Sequence, residues 1–262
     1  MKLAVCLFGY TGNSDKKNIQ NNLFDPVISF HNYRDKIFQG HDVDIFIHTW
    51  NSVHTEKIKQ IYNPKKMITE DQPIFDYSFD NYKLSYVSDY FGIIKNHENP
   101  EASLKDLISR THSRWMSTCK SINLLQEYSN QNNINYDFVI QLRFDLYFYK
   151  ILNFNNLDKN IFYHPVRNHE KDIAINDHFF ISNQKNAFIF SNIYKNLFNL
   201  SIRPVCAAKF FLEQNNINHS SYCEIGTDFQ LLRDVRFNQN NNNNFIKKIL
   251  KKIKKLFVDV IN

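Results

Sequence analysis

Arg143 and Asp145 stand two residues apart near the end of the stretch YDFVIQLRFDLYF, residues 136–148. The apolar run Phe138-Val139-Ile140 ahead of them suits a strand buried on both faces. Charges at the end of such a strand are costly unless they are paired or meet a ligand. Ligands of open α/β sheets sit beyond the carboxyl ends of the strands, and period-two geometry would point both side chains to one face. An Arg–Asp pair that merely closes a sheet edge explains the two residues equally well. Asp177 interrupts the apolar stretch IAINDHFFIS, residues 173–182, and His178 follows it. A carboxylate in that setting is a candidate general base or metal ligand; a turn aspartate between two strands is the plainer alternative. Arg110 and Arg114 lie one helical turn apart, a spacing at which two guanidinium groups could hold a diphosphate. Solvated arginines are the commoner outcome.

The elements that must position these residues follow from pattern. Lys2–Phe8 reads as a buried first strand, with Gly9-Tyr10-Thr11-Gly12 as the turn after it, and in a nucleotide-binding sheet this turn faces the ligand. Asp25-Pro26 is a cap followed by a first-turn proline, which predicts a helix to about Phe38. Asp42–His48 predicts a second strand that leads into Thr49, Trp50 and Asn51, polar and aromatic residues that could line a pocket. His48 alone is more often a satisfied core histidine than a ligand. Residues 51–100, punctuated by Pro64, Pro73 and Pro100, read as a long connection with short elements.

Ser103 to about Gln131 is the longest helical segment. Ser103 and Asp106 resemble a capping box, and Leu104, Leu107, Ile108, Trp115, Cys119 and Ile122 form its buried stripe. Later strands are expected at 160–164, 173–182 and 218–225, and helices at 183–200 and 204–214. Thr227 or Asp228 would cap a short helix ending near Arg233.

Composition removes several function classes. The chain has 262 residues and 43% hydrophobic content, enough for one large α/β domain, or a domain plus a small appendage, with a real core. Only five glycines are present, with neither a GxGxxG nor a Walker sequence. Cys6, Cys119, Cys206 and Cys223 are scattered without a CxxC, which suits a reducing compartment and argues against a zinc site. The first apolar run is too short for a signal peptide, and no stretch is long enough to span a bilayer. The expected location is the cytoplasm.

The formal charge of +6 is unevenly placed. Residues 245–262 hold six lysines and one aspartate, so the remaining body is near +1. A nearly neutral body with a basic tail does not suit a nucleic-acid binder. Residues 239–244 are a polar, asparagine-rich linker. Beyond it, FIKKILKKIKKLFVDVIN places its apolar residues on one helical face and its lysines off it. That pattern reads as a basic amphipathic helix lying on an anionic membrane surface, each lysine contributing up to about 1 kcal/mol. Docking on its own domain or on a second subunit is the alternative. The expected organisation is a body over 1–238, a linker over 239–244 and a helix over 245–262.

Several pieces together resemble the small glycosyltransferases encoded in the capsule and lipopolysaccharide loci of Campylobacter-like bacteria. They are VCLFGY, DVDIFIHTWN, SRWMSTCKSINLL, YDFVIQLRFDLYF, INDHFFISN and GTDFQLLR, in that order across residues 3–233. The resemblance implies a GT-A-like, Rossmann-related α/β fold that uses a nucleotide-sugar donor and a polysaccharide or lipid-linked acceptor. GT-A enzymes commonly hold manganese or magnesium through a DxD motif after a central strand. Here RFD stands at that place: Asp145 matches the second aspartate and becomes the candidate metal ligand, while Arg143 replaces the first and could contact the diphosphate itself. An inverting enzyme also needs a carboxylate to take the acceptor proton, with Asp177 the first choice and Asp228 the second. Arg114 is then a phosphate ligand, and Gly9, Thr49 and Trp50 line the nucleotide pocket. Two competing functions are a transferase for a non-sugar activated group on the same polysaccharide and a non-catalytic recruiting subunit.

Overall fold

A computed structural model describes residues 1–11, 26–50, 54–77, 79–82 and 97–232. Gly12, Asp25, the linker 239–244 and the basic tail 245–262 lie outside the described residues.

The fold is α/β, as expected: a seven-stranded sheet in the order β3-β2-β1-β4-β7-β6-β8 with helices on both faces. β1 (Lys2–Tyr10), β2 (Asp42–Trp50), β3 (Lys66–Glu70) and β4 (Phe138–Arg143) are mutually parallel. β7 (Phe179–Ser182) runs antiparallel to β4, and β6 (Phe162–His164) antiparallel to β7. β8 (His219–Ser221) lies parallel to β6 at the edge. The chain builds outward from β1 through β2 to β3, then returns to place β4 on the other side of β1. The strand order therefore reverses between β1 and β4, where α/β sheets open a crevice.

Alternation along the strands feeds two cores. Ala4, Cys6, Phe46, Val139 and Phe180 face one side, which is covered by α3 (Pro100–Asn132), α4 (Gln184–Phe190) and α5 (Pro204–Gln214). Leu3, Val5, Leu7, Ile45, Ile47, Ile140, Leu142 and Phe179 face the other. There they meet Tyr33 and Ile37 of α1 (Pro26–Tyr33) and its wide-turn extension Arg34–Phe38, and Ile58 and Tyr62 of α2 (Thr55–Tyr62). The α3 stripe is buried as its spacing predicts; Leu104, Ile108, Trp115 and Ile122 are fully enclosed.

Local structure departs from the sequence reading in instructive places. β1 continues through Gly9 and Tyr10 instead of turning at Gly9, which adopts a positive φ of 104° inside the strand, a conformation costly for residues with a Cβ. The interval 51–100 contributes α2 and an edge strand, β3, that the proline punctuation concealed. α3 begins earlier than Ser103: Asn99 accepts the Ala102 amide at 3.0 Å and Pro100 takes the first helical position, while the Ser103 hydroxyl meets His97. The 136–148 strand breaks at a turn over Phe144-Asp145, and β5 (Leu146–Phe148) leaves the main sheet to pair with β9 (Phe229–Leu231). Asp228 precedes that strand in a turn, so the short helix expected after it is replaced by β9 over 229–231. The expected strand 173–182 shortens to Phe179–Ser182, and 218–225 to His219–Ser221. The helix expected over 183–200 divides into α4 and a 3-10 segment, Tyr194–Asn199.

Candidate functional site

Arg143 ends β4 and pairs in register with Phe8 near the end of β1. Because β7 is antiparallel, its first residue, Phe179, lies beside Leu142, which delivers Asp177 and His178 to the same sheet edge. α3 crosses this edge and brings Arg114, whose guanidinium lies 4.0 Å over the Phe8 ring and 4.7 Å over Trp115. Arg114, Arg143, Asp145 and Asp177, separated by up to 63 residues in sequence, thus converge at the strand-order reversal.

Each arginine has its own carboxylate. Arg143 donates from Nε to Asp145 Oδ1 at 2.7 Å and from a terminal nitrogen to Oδ2 at 2.6 Å, a bidentate pair. Arg114 Nε stands 3.4 Å from Asp177 Oδ2, and its terminal nitrogens donate to the Asp177 carbonyl and the Thr118 hydroxyl. The Arg114 and Asp177 side chains retain only 11% and 15% of their exposure. Burial pushes the Arg114 guanidinium down to about 10, against the raising effect of Asp177, and the Arg143 charge adds to the depression. Arg143 moves the other way: burial opposes its charge, but the Asp145 carboxylate more than offsets that and raises it. His178 feels all four charges, yet burial dominates and lowers it to about 4, so the imidazole is neutral at physiological pH.

Neighbours that the sequence reading left unused hold this geometry. The Tyr33 hydroxyl donates to the Arg143 carbonyl at 2.5 Å and accepts the Leu146 amide at 3.2 Å, stapling the turn that carries Asp145. Asn32 brackets β5 by bonding both the amide and the carbonyl of Phe148. On the other face, Ser117 lies one turn beyond Arg114 on α3. Its Oγ accepts the Gly9 amide at 2.9 Å and lies 2.8 Å from His48 Nδ1. His48 Nε2 is 3.2 Å from Glu70, which Lys120 also holds. A carboxylate only accepts, so Nε2 carries the imidazole proton, Nδ1 accepts, and the Ser117 hydroxyl must donate to it. One directed chain therefore runs from Gly9 N–H through Ser117 and His48 to Glu70. It fixes α3 against the ends of β1 and β2, and with it Arg114. Glycine at position 9 and the Asn32-Tyr33 pair at the end of α1 were the available signals; the partners lie too far along the chain to be read from it.

The remaining expected site residues divide. Gly9 is at the edge, facing Ser117. Thr49 and Trp50 are buried: Thr49 Oγ1 meets Thr11 Oγ1 at 3.0 Å, and the Trp50 ring packs edge-on to His48 at 4.5 Å. Both support the edge from inside. Asp228 is not brought to the cluster. It pairs with Lys150 at 2.5 Å and accepts the Glu224 amide at 2.8 Å, while the opposite end of the β5–β9 pair, Leu232, bonds the Asp145 carbonyl. At ~3.3 Å per strand residue, the four residues from Asp228 to Leu232 make that separation roughly 13 Å. Arg110 likewise turns away from Arg114 and pairs with Asp106 on the exposed face of α3.

A divalent cation at Asp145 can be tested against its donors. Both Asp145 oxygens are taken by Arg143, Asp177 faces Arg114, and among the described residues no three His, Cys, Asp or Glu side chains group as ligands. This donor set does not fit a preformed metal site. Among the described residues no helix is long and apolar enough to cross a membrane, and all four cysteines are free thiols.

No family model matches the chain, and no curated protein does. Among solved structures, it is similar to a protein from Desulfovibrio desulfuricans provisionally assigned as a nucleotide-diphospho-sugar transferase. Identity is 11%, coverage 98% of this chain and 97% of that one, and the TM-score 0.44. It is also similar to a nucleoside-diphosphate-sugar pyrophosphorylase from Vibrio cholerae, at 10% identity, 88% and 95% coverage and a TM-score of 0.39. Likenesses at this distance carry no argument about activity, which rests on the site itself.

Proposed function

We propose that the protein is a glycosyltransferase that moves a sugar from a nucleotide-sugar donor to a capsule or lipopolysaccharide acceptor, or its lipid-linked precursor. The observation that carries this reading is the meeting of two arginines and two aspartates at the β1–β4 reversal, where an α/β sheet takes its ligand. The class of acceptor is supported by the resemblance of the motifs across residues 3–233. Work at the cytoplasmic face of the membrane is supported by the basic amphipathic pattern of residues 245–262. The corresponding organisation is a catalytic body over 1–238, a linker over 239–244 and an anchoring helix over 245–262.

In the proposed reaction the acceptor hydroxyl oxygen bonds to the anomeric carbon as the bond from that carbon to the donor diphosphate breaks. The bonding electrons leave with the nucleoside diphosphate, whose growing negative charge Arg114 and Arg143 offset. Asp177, carried beside both arginines, takes the acceptor proton. His178, lowered to about 4 chiefly by burial, is too weak a base at neutral pH for that role.

The test is a thermal-shift screen of the full chain against nucleoside diphosphates and their sugars, followed by transfer assays with the donor it finds. A ligand that binds the folded state raises Tm by mass action. Asp177→Asn is expected to keep donor binding and lose transfer by about 100-fold or more, while Asp228→Asn keeps both. Full transfer by Asp177→Asn would remove Asp177 from the mechanism, and no shift with any sugar nucleotide would refute the donor reading.

A further inference from the structure

We infer that the donor diphosphate is neutralised by the Arg114–Arg143 pair without a divalent cation, with Asp145 serving as the positioning carboxylate of Arg143. The inference rests on the donor reading above and concerns the same site.

The geometry assigns Asp145 a different task from a metal ligand. Its two oxygens hold the guanidinium at 2.7 and 2.6 Å, which fixes the plane and direction of the fork at the sheet edge. The bond uses Nε and one terminal N–H of Arg143. Three of the five guanidinium donors remain, in a layout that matches phosphate oxygens. Arg114 is fixed by other means, between the faces of Phe8 and Trp115 and by the Thr118 hydroxyl and the Asp177 carbonyl. Its Nε is buried without a hydrogen-bond partner, although the Asp177 carboxylate is near. A buried donor held only by a 3.4 Å ionic contact is under-satisfied and gains a hydrogen bond when an anion arrives.

Placing a divalent cation here would require breaking the Arg143–Asp145 fork and setting the ion close to two guanidinium charges. A diphosphate arriving between Arg114 and Arg143 needs neither change.

The experiment measures binding of inorganic pyrophosphate to the full chain by calorimetry, first in EDTA and then with excess manganese or magnesium. Nucleotide sugars are screened in parallel. The expected result is pyrophosphate affinity in EDTA that changes by less than about threefold when metal is added, a difference under about 1 kcal/mol. Arg143→Lys, which keeps the charge and removes the fork, should weaken binding about tenfold with or without metal. Asp145→Asn should weaken it less, equally in both conditions, with Tm confirming the fold. Binding that appears only with metal and vanishes in Asp145→Asn would overturn the inference and leave the donor reading standing. Nucleotide-sugar binding without any pyrophosphate binding in EDTA would overturn it too. A folded protein that binds neither would refute the donor reading as well.

Discussion

Acidification should unfold this protein through its buried histidines. His48, His112 and His164 are 0%, 1% and 7% exposed, and burial lowers each from 6.5 to about 4. His48 is lowered despite the raising contact with Glu70. In the unfolded chain these imidazoles take protons near 6.5; in the folded chain they resist until about 4. Between those values the unfolded state binds more protons, so stability is complete above the unfolded value and is lost as pH falls toward the folded one. At about 1.4 kcal/mol per pH unit per group, lowering the pH from about 7.5 to about 5.5 removes a little over 1 kcal/mol for each. Together the three lose about 4 kcal/mol, a large part of a typical domain's stability. His178 acts in the same direction. The salt-bridged carboxylates contribute only at lower pH; Glu170, held by Arg203 and Arg167, is lowered to about 2.

The assay is urea unfolding at constant ionic strength across this range, with m compared at every pH. His48→Gln should flatten the slope by about a quarter, because one of four comparably lowered histidines is gone. A stability that changes by less than about 1 kcal/mol over the range, or a His48→Gln variant with the full slope, would refute the reasoning.

Two further outcomes follow from the same geometry and from the tail. Ser117→Ala leaves the buried His48 Nδ1 without its donor and the Gly9 amide without its acceptor, so it should cost about 2–4 kcal/mol in urea unfolding; a loss below about 0.5 kcal/mol would show that the chain through Ser117 does not fix the strand ends. Truncation from Gln239 onward should release the protein from anionic vesicles in sedimentation assays while leaving Tm in place; unchanged vesicle binding would refute the anchor.

The sequence by itself determined much of this protein. The strands β1, β2 and β4 and the α3 stripe were legible because burial imposes a local period on side-chain type. The candidate site residues Arg114, Arg143, Asp145 and Asp177 stood out for a related reason: a charge beside apolar strand or helix residues needs a partner. The Arg143–Asp145 pair was already one reading of the sequence and is present in the structure; the partner of Arg114 could not be read from the sequence. That Arg114 meets Asp177 depends on β7 running antiparallel beside β4, a pairing between segments that share no local signal. The break at Phe144-Asp145 is set by Tyr33, more than a hundred residues earlier, and β3 was hidden because an edge strand of five partly exposed residues carries little apolar pattern. Asp228 stood second to Asp177 as a base, and only the pairing of β5 with β9 placed it at the far end of that strand pair, beside Lys150. Local pattern reports what must be buried; which buried and charged groups meet is decided by strand order and direction, and these emerge only when the whole sheet closes.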